Sequence, residues 1–134
     1  MVGFSHFQDI QAWQRARELV REVYRISSDG AFSKDFSLRD QVRRAAVSAM
    51  SNVAEGFARR GARDFAHFLD MAKASAVECQ SLFYVALDAG YLNQDDFGRL
   101  YRMGEEASSL IAGQRRTFAN RLVLNLSSRL FVPC

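Results

Sequence analysis

Catalysis needs reactive side chains that converge, and this chain offers few. Its two histidines, His6 and His67, stand far apart in sequence. Neither lies in an HExxH pair, and the ExxH unit of di-metal centres in helical bundles does not occur. The phosphate-cradling GxxxxGK(S/T) loop, the dinucleotide-binding GxGxxG turn and the GxSxG nucleophile elbow are missing as well. Glu55 and Glu78 come nearest to acid–base groups, but neither has a histidine, cysteine or metal partner at useful spacing. No catalytic set, metal or cofactor is expected. Cys79 falls at an apolar helical position, Cys134 is the last residue, and they form no CxxC, so no disulfide framework is expected.

Groups suited to recognition are better represented. At 100° per residue Gln41, Arg44, Ser48, Ser51 and Glu55 fall on one stripe of a helix, with Asn52 at its border. Two readings stand: a solvated face with helical ion pairs, or a polar network buried between subunits. In the second, Arg44 and Glu55 need partners, because an unpaired buried charge costs several kcal/mol. Ser75 and Glu78, on a later helix, are expected to reach this stripe, with Glu78 near Arg44. A separate feature is arginine. Arg59, Arg60 and Arg63 surround Gly61, and Arg115, Arg116 and Arg121 lie near the end of a later helix. In an antiparallel bundle both sets arrive at the same end and form a positive rim suited to phosphates. Complementing helix C-terminal dipoles accounts for part of the same pattern.

The elements that must position these groups follow from periodicity. The body of the chain contains no proline, the single one being Pro133. Ile10, Trp13, Ala16, Val20, Val23 and Tyr24 recur at helical steps over about Asp9–Ser28, and Ser27, Ser28, Asp29 and Gly30 end that helix. A second helix starts after Ser37 as N-cap and runs to about Arg60, with Leu38, Val42, Ala45, Ala46, Ala49, Val53 and Phe57 as an alanine-rich face. A third, from about Arg63 to Ala89, spaces Phe65, Leu69, Ala72, Ala76, Cys79, Phe83 and Ala86 alternately by four and three, the seam of a left-handed bundle. Gly90 stops it, and Asn93 caps a fourth with Asp95 and Asp96 in its first turn and Phe97, Leu100, Ala107, Leu110, Ile111 and Phe118 on one side. The expected fold is all-α: an antiparallel up-down-up-down four-helix bundle over residues 4–121, with a short apolar C-terminal tail over residues 122–134. In that tail Leu122, Leu124 and Leu126 alternate as in a strand. An extended arm docked on a neighbouring subunit is favoured over a continued helix.

Composition narrows the setting. The formal charge is +3, and all but two of the 18 basic residues are Arg, whose planar fork grips phosphate or carboxylate bidentately. The cations are interleaved with acids, so the bias toward anionic partners is mild. No signal-type leader opens the chain and no apolar run approaches the roughly 18 residues of a membrane span, so a cytoplasmic protein is expected.

The run QVRRAAVSAMSNVAEGFAR, with Gln41, Arg43, Arg44, Ala45, Ala46, Ser48, Asn52, Ala54, Glu55 and Gly56, resembles the signature of four-helix-bundle proteins encoded within intervening sequences of bacterial 23S ribosomal RNA genes. Phe7, Ile10, Trp13, Ala16 and Leu19 are similar to the family's opening helix, Phe65 to Glu78 to its third, and Gly90, Tyr91 and Leu92 to its last turn. Ser33 departs from the proline that relatives commonly carry, and the apolar tail is outside the shared pattern. The resemblance implies a ring-like homopentamer. It also implies kinship with accessory proteins of reverse transcriptases in diversity-generating retroelements, which act through RNA or protein contact. The functional expectation is a non-catalytic, homo-oligomeric adaptor binding RNA or DNA through Arg59, Arg60, Arg63, Arg115, Arg116 and Arg121, or contacting a protein such as a reverse transcriptase. The alternative is a purely structural or protein-interaction scaffold.

Overall fold

The computed structural model describes residues 4–59 and 61–130, from residue 118 onward as backbone alone. After a 3₁₀ turn at Phe7–Asp9 come five α-helices: α1 (Gln11–Ile26), α2 (Gly30–Lys34), α3 (Phe36–Ala58), α4 (Ala62–Asp88) and α5 (Gln94–Leu130). The described residues are all-α, without a strand, and none of their helices is long and apolar enough to cross a membrane. The four long helices pack as a ring of neighbours: α3 against α4 and α1, and α5 against α4 and α1. Arg15 meets Glu106 at 2.9 Å and Glu22 meets Arg99 at 2.6 Å, so α1 and α5 run in opposite directions.

Apolar periodicity determines what is buried. Every residue of the expected α4 seam is at most 1% exposed, and on α3 only Phe57 of the expected face escapes full burial. The core has two bulky ends and a narrow middle. One end gathers Leu19, Val23, Phe32, Phe83 and Leu100, and the other Ile10, Trp13, Phe65, Leu69 and Ile111. Between them Ala16, Ala49 and Ala76 meet with no exposed surface at all.

Helix ends explain the departures from the sequence reading. The N-cap of α3 is Asp35 rather than Ser37: its carboxylate accepts the Leu38 N–H at 3.1 Å and the Tyr91 hydroxyl at 3.0 Å, and Ser37 sits exposed in the first turn. A carboxylate matches the positive helix end better than a hydroxyl. The short α2 was not expected. It opens on Gly30 at φ 65° and is anchored by buried Phe32, which stacks on Tyr91 at 5.3 Å. Gly90, at φ 81°, closes α4 as expected: the Tyr91 N–H bonds Ala86 O at 2.9 Å and the Gly90 N–H bonds Leu87 O at 3.0 Å, the paired pattern of a Schellman stop. Asn93 caps α5 by accepting the Asp96 N–H at 2.7 Å.

The tail differs too. The backbone of α5 stays helical to Leu130, so the boundary placed at residue 122 falls inside a helix and the extended arm is not what forms. Leu122 and Leu126 are also four apart, a helical spacing, and no proline precedes residue 133. The tail's side chains and residues 131–134 lie outside the described residues.

Two glycines should separate packing from propensity. A Cβ on Gly56 would lie 2.7 Å from Phe68 Cβ and 3.0 Å from Phe65 Cδ2, so Gly56→Ala is expected to destabilise by about 1–3 kcal/mol through overpacking. At Gly113 the nearest atom is the end of Arg116 at 3.8 Å, so Gly113→Ala should stabilise by about 0.5–1 kcal/mol. Urea denaturation of both variants checks the opposite signs.

Candidate functional site

An open groove of about 650 Å³ runs along α3. Arg44, Ser48, Ser51, Asn52 and Glu55 line it, joined by Asp40, Arg43, Val47 and by Tyr24 from α1. The polar stripe read from the sequence is therefore one surface feature, but its bonding is narrower than expected. Ser48 Oγ and Ser75 Oγ are 2.8 Å apart across α3 and α4. Asn52 Nδ2 donates to Ser48 O at 2.8 Å and to Ser48 Oγ at 3.0 Å. Those three residues are half-buried. Gln41, Arg44, Glu55 and Glu78 are exposed and make no hydrogen bond or ion pair among the described residues, so the seven-residue network reduces to three, and the expected approach of Glu78 to Arg44 forms no contact. Ser48 bonds across to α4, whereas Arg44 and Glu55, one and two turns away on the same stripe, face solvent.

Arg43, quoted only as part of the motif, holds the α1–α2 turn. Its Nε donates to Ser27 Oγ at 2.9 Å, and its Nη2 donates to Ser27 O at 3.2 Å and Ser28 Oγ at 3.3 Å. The guanidinium also covers the Tyr24 ring at 4.5 Å. Ser27 is fully buried and donates its own hydroxyl proton to Val23 O at 2.6 Å. An arginine next to Arg44 of the polar stripe, and a serine pair just after an apolar helix, were the available signals.

Among the described residues the arginines sit at two levels. Arg59 and Arg63 flank the α3–α4 loop, with Arg59 over the Phe68 ring at 4.9 Å. Arg115 instead donates to Asp70 Oδ1 at 3.3 Å, eight residues into α4 and so about 12 Å down its axis. The pairing of α4 with α5 sets this level, which the chain order alone did not supply. Arg115 and Arg116 share a pocket of about 270 Å³ with Asp70, Lys73 and Ala112. Arg60 and the Arg121 side chain lie outside the described residues. His6 and His67 are both exposed, and among the described residues no three His, Cys, Asp or Glu side chains gather as a metal site.

Burial, aided by the Glu78 charge, pushes the Cys79 thiol up to about 12, which leaves it protonated and inert near neutrality. The bond to Asp35 and partial burial raise Tyr91. The hydrogen bond from Arg25 at 2.6 Å, with the charges of Arg99 and Arg25, holds the Glu22 carboxyl below its ordinary value of 4.5. A carboxylate lowered by folding contributes stability that is full above the unfolded value and lost as pH falls through the folded one. Glu22→Gln should therefore be less stable than the parent near neutrality, with the gap closing as pH drops below about 4.5. Thermal melts across pH check this, and a gap that ignores pH would assign Glu22 no electrostatic role.

Comparison with known proteins places the fold. No curated protein matches in sequence. A solved structure from Bacteroides thetaiotaomicron, described as a protein with unknown function from the S23 ribosomal protein family, superposes with a TM-score of 0.72 at 19% identity, covering 79% of this chain and 96% of that one. At that identity it speaks for the helical-bundle fold alone. The family described as 23S rRNA-intervening sequence protein matches residues 8–113, which include all of α1 to α4 and the groove built on them. By that match the chain belongs to the 23S rRNA-intervening sequence protein family.

Proposed function

We propose that this protein is a non-catalytic, homo-oligomeric scaffold of the cytoplasm, built as an antiparallel up-down-up-down four-helix bundle and self-associating through the α3 groove. The observation that carries this reading is the groove's composition. Val47 and Tyr24, each more than a third exposed, sit beside a hydrogen-bonded Ser48–Asn52–Ser75 strip, and Arg44 and Glu55 on the same face have no hydrogen-bond or ion-pair partner among the described residues. Apolar area beside satisfied short polar groups suits a protein contact, and two unpaired opposite charges suit ion pairing across it. Val77, Tyr84 and Val85 are further exposed apolar residues on α4, Tyr84 packing beside Phe97 and Tyr101 of α5. A ring-like homopentamer is the order of assembly that the family resemblance implies.

Light scattering on the purified chain tests this reading. A mass of several chains is expected, and Val47→Arg should shift it toward the monomer while helicity is retained. A wild-type protein that stays monomeric at high concentration removes the proposal. A second reading, an adaptor that binds RNA or DNA, is favoured by one observation: Arg63, Lys73 and Arg116 are exposed cations with no ion-pair or hydrogen-bond partner among the described residues. Gel shifts on structured RNA over a salt series decide it, because phosphate binding weakens steeply as salt rises.

A further inference from the structure

We propose that the pocket between α4 and α5 is a binding site for phosphate groups, with Lys73, Arg115 and Arg116 as its cationic ligands and Asp70 as the residue that orients Arg115. This deepens the nucleic-acid reading by moving it away from the loop arginines. It depends on that reading only for where the phosphate comes from.

The charge balance is the first support. Three cations from two helices share a pocket of about 270 Å³ with one carboxylate. Arg115 Nε reaches Asp70 Oδ1 at 3.3 Å, longer than the roughly 2.7–2.9 Å of a strong charged bond, and both side chains are open to solvent. Such an exposed pair is worth little by itself. It does fix the guanidinium through Nε, which leaves the two terminal NH₂ groups to face a ligand. Lys73 and Arg116 have no ion pair or hydrogen bond among the described residues, so two positive charges are left over. No Asp or Glu follows Glu106 anywhere in the chain, so this part of α5 has no carboxylate of its own to neutralise them.

The chemistry selects the ligand. A phosphate carries between one and two negative charges and tetrahedral oxygens that a guanidinium fork meets bidentately, whereas a lysine adds a movable point charge. Ala112 lines the pocket with a single methyl and leaves room for an oxyanion. The loop pair is less suited. Arg59 is engaged by the Phe68 ring at 4.9 Å. The same chemistry serves the phosphates of an RNA backbone and those of a small phosphorylated molecule.

Fluorescence anisotropy of the full chain with a labelled single-stranded oligouridylate over a salt series, and calorimetry with inorganic pyrophosphate, test the site and its source. Lys73→Ala/Arg115→Ala/Arg116→Ala should lower affinity at low salt about tenfold or more and flatten the log–log salt slope by about 2, since each phosphate contact contributes about 0.7 for single strands. Asp70→Asn retains an acceptor for Arg115 while removing the opposing charge, and should tighten binding two- to three-fold, roughly the scale of one exposed charge contact. Arg21→Ala, an exposed cation of α1 outside this pocket whose variant is checked for folding by circular dichroism like the others, should leave both measurements unchanged. If pyrophosphate binds and the oligonucleotide does not, the site stands with a small-molecule source and the nucleic-acid reading falls. If the triple variant binds RNA like the parent, that reading stands and this site falls. Failure of both probes to bind, or equal damage from Arg21→Ala, also overturns it.

Discussion

The structure turns on a layer of small residues where the helices approach most closely. Ala16, Ala49 and Ala76 meet with no exposed surface, and on α5 Gly104 would place a Cβ 2.9 Å from Gln80 Cγ and 3.8 Å from Ala76 O. Larger side chains at this level would spread the helices and open the clusters on either side, because interiors pack as densely as molecular crystals. The layer also sets what lies next to it. Ser48 and Ser75 each adjoin one of its alanines, and two side chains that short bond across a helix pair only where the backbones are close. The polar strip in the groove is thus a consequence of the alanine layer beneath it.

From that middle the ends are held by different devices. At one end Arg43 ties the α1–α2 turn to α3 through Ser27, and Asp35, Tyr91 and Phe32 tie the start of α3 to the end of α4. At the other, Gly56 accepts Phe65 and Phe68 against bare backbone at the crossing of α3 and α4. The clamps use side chains that also satisfy helix-end N–H and C=O groups, so order in the turns and satisfaction of orphan backbone groups come from the same contacts.

Most of the fold was legible because it rests on periodicity. The spacing of Phe65, Leu69, Ala72, Ala76, Cys79, Phe83 and Ala86 predicts their burial without further information, and Gly90 and Asn93 mark helix ends by local chemistry alone. The misreadings arose where a local signal was ambiguous. Asp35 and Ser37 are both acceptable caps, and the choice depends on Tyr91, more than fifty residues away. Leucines two apart are also leucines four apart, so the stretch from Leu122 read as strand and forms helix. The site was legible as a set of residues and not as a bonding pattern. Wheel geometry grouped Arg44, Ser48, Asn52 and Glu55, but which of them turn toward α4 depends on the rotation of α3 about its axis. The level of the arginines was illegible for a related reason: loop order says which end a helix reaches, and only the register of α4 against α5 says that Arg115 meets Asp70.

That register has a consequence for how two surfaces share one scaffold. Ser75, which bonds to α3, and Lys73, which lines the pocket with α5, are two residues apart on α4 and so about 200° apart around it. A partner seated in the α3 groove therefore leaves the Lys73, Arg115 and Arg116 pocket on the other flank of α4. Both surfaces draw on outward residues of helices whose inward seam is already satisfied by the core, so changing either leaves the alanine layer untouched. Side chains without shared partners act nearly additively on stability. A bundle of this kind can keep one packing solution and alter assembly and anion binding independently, each through residues that the core does not need.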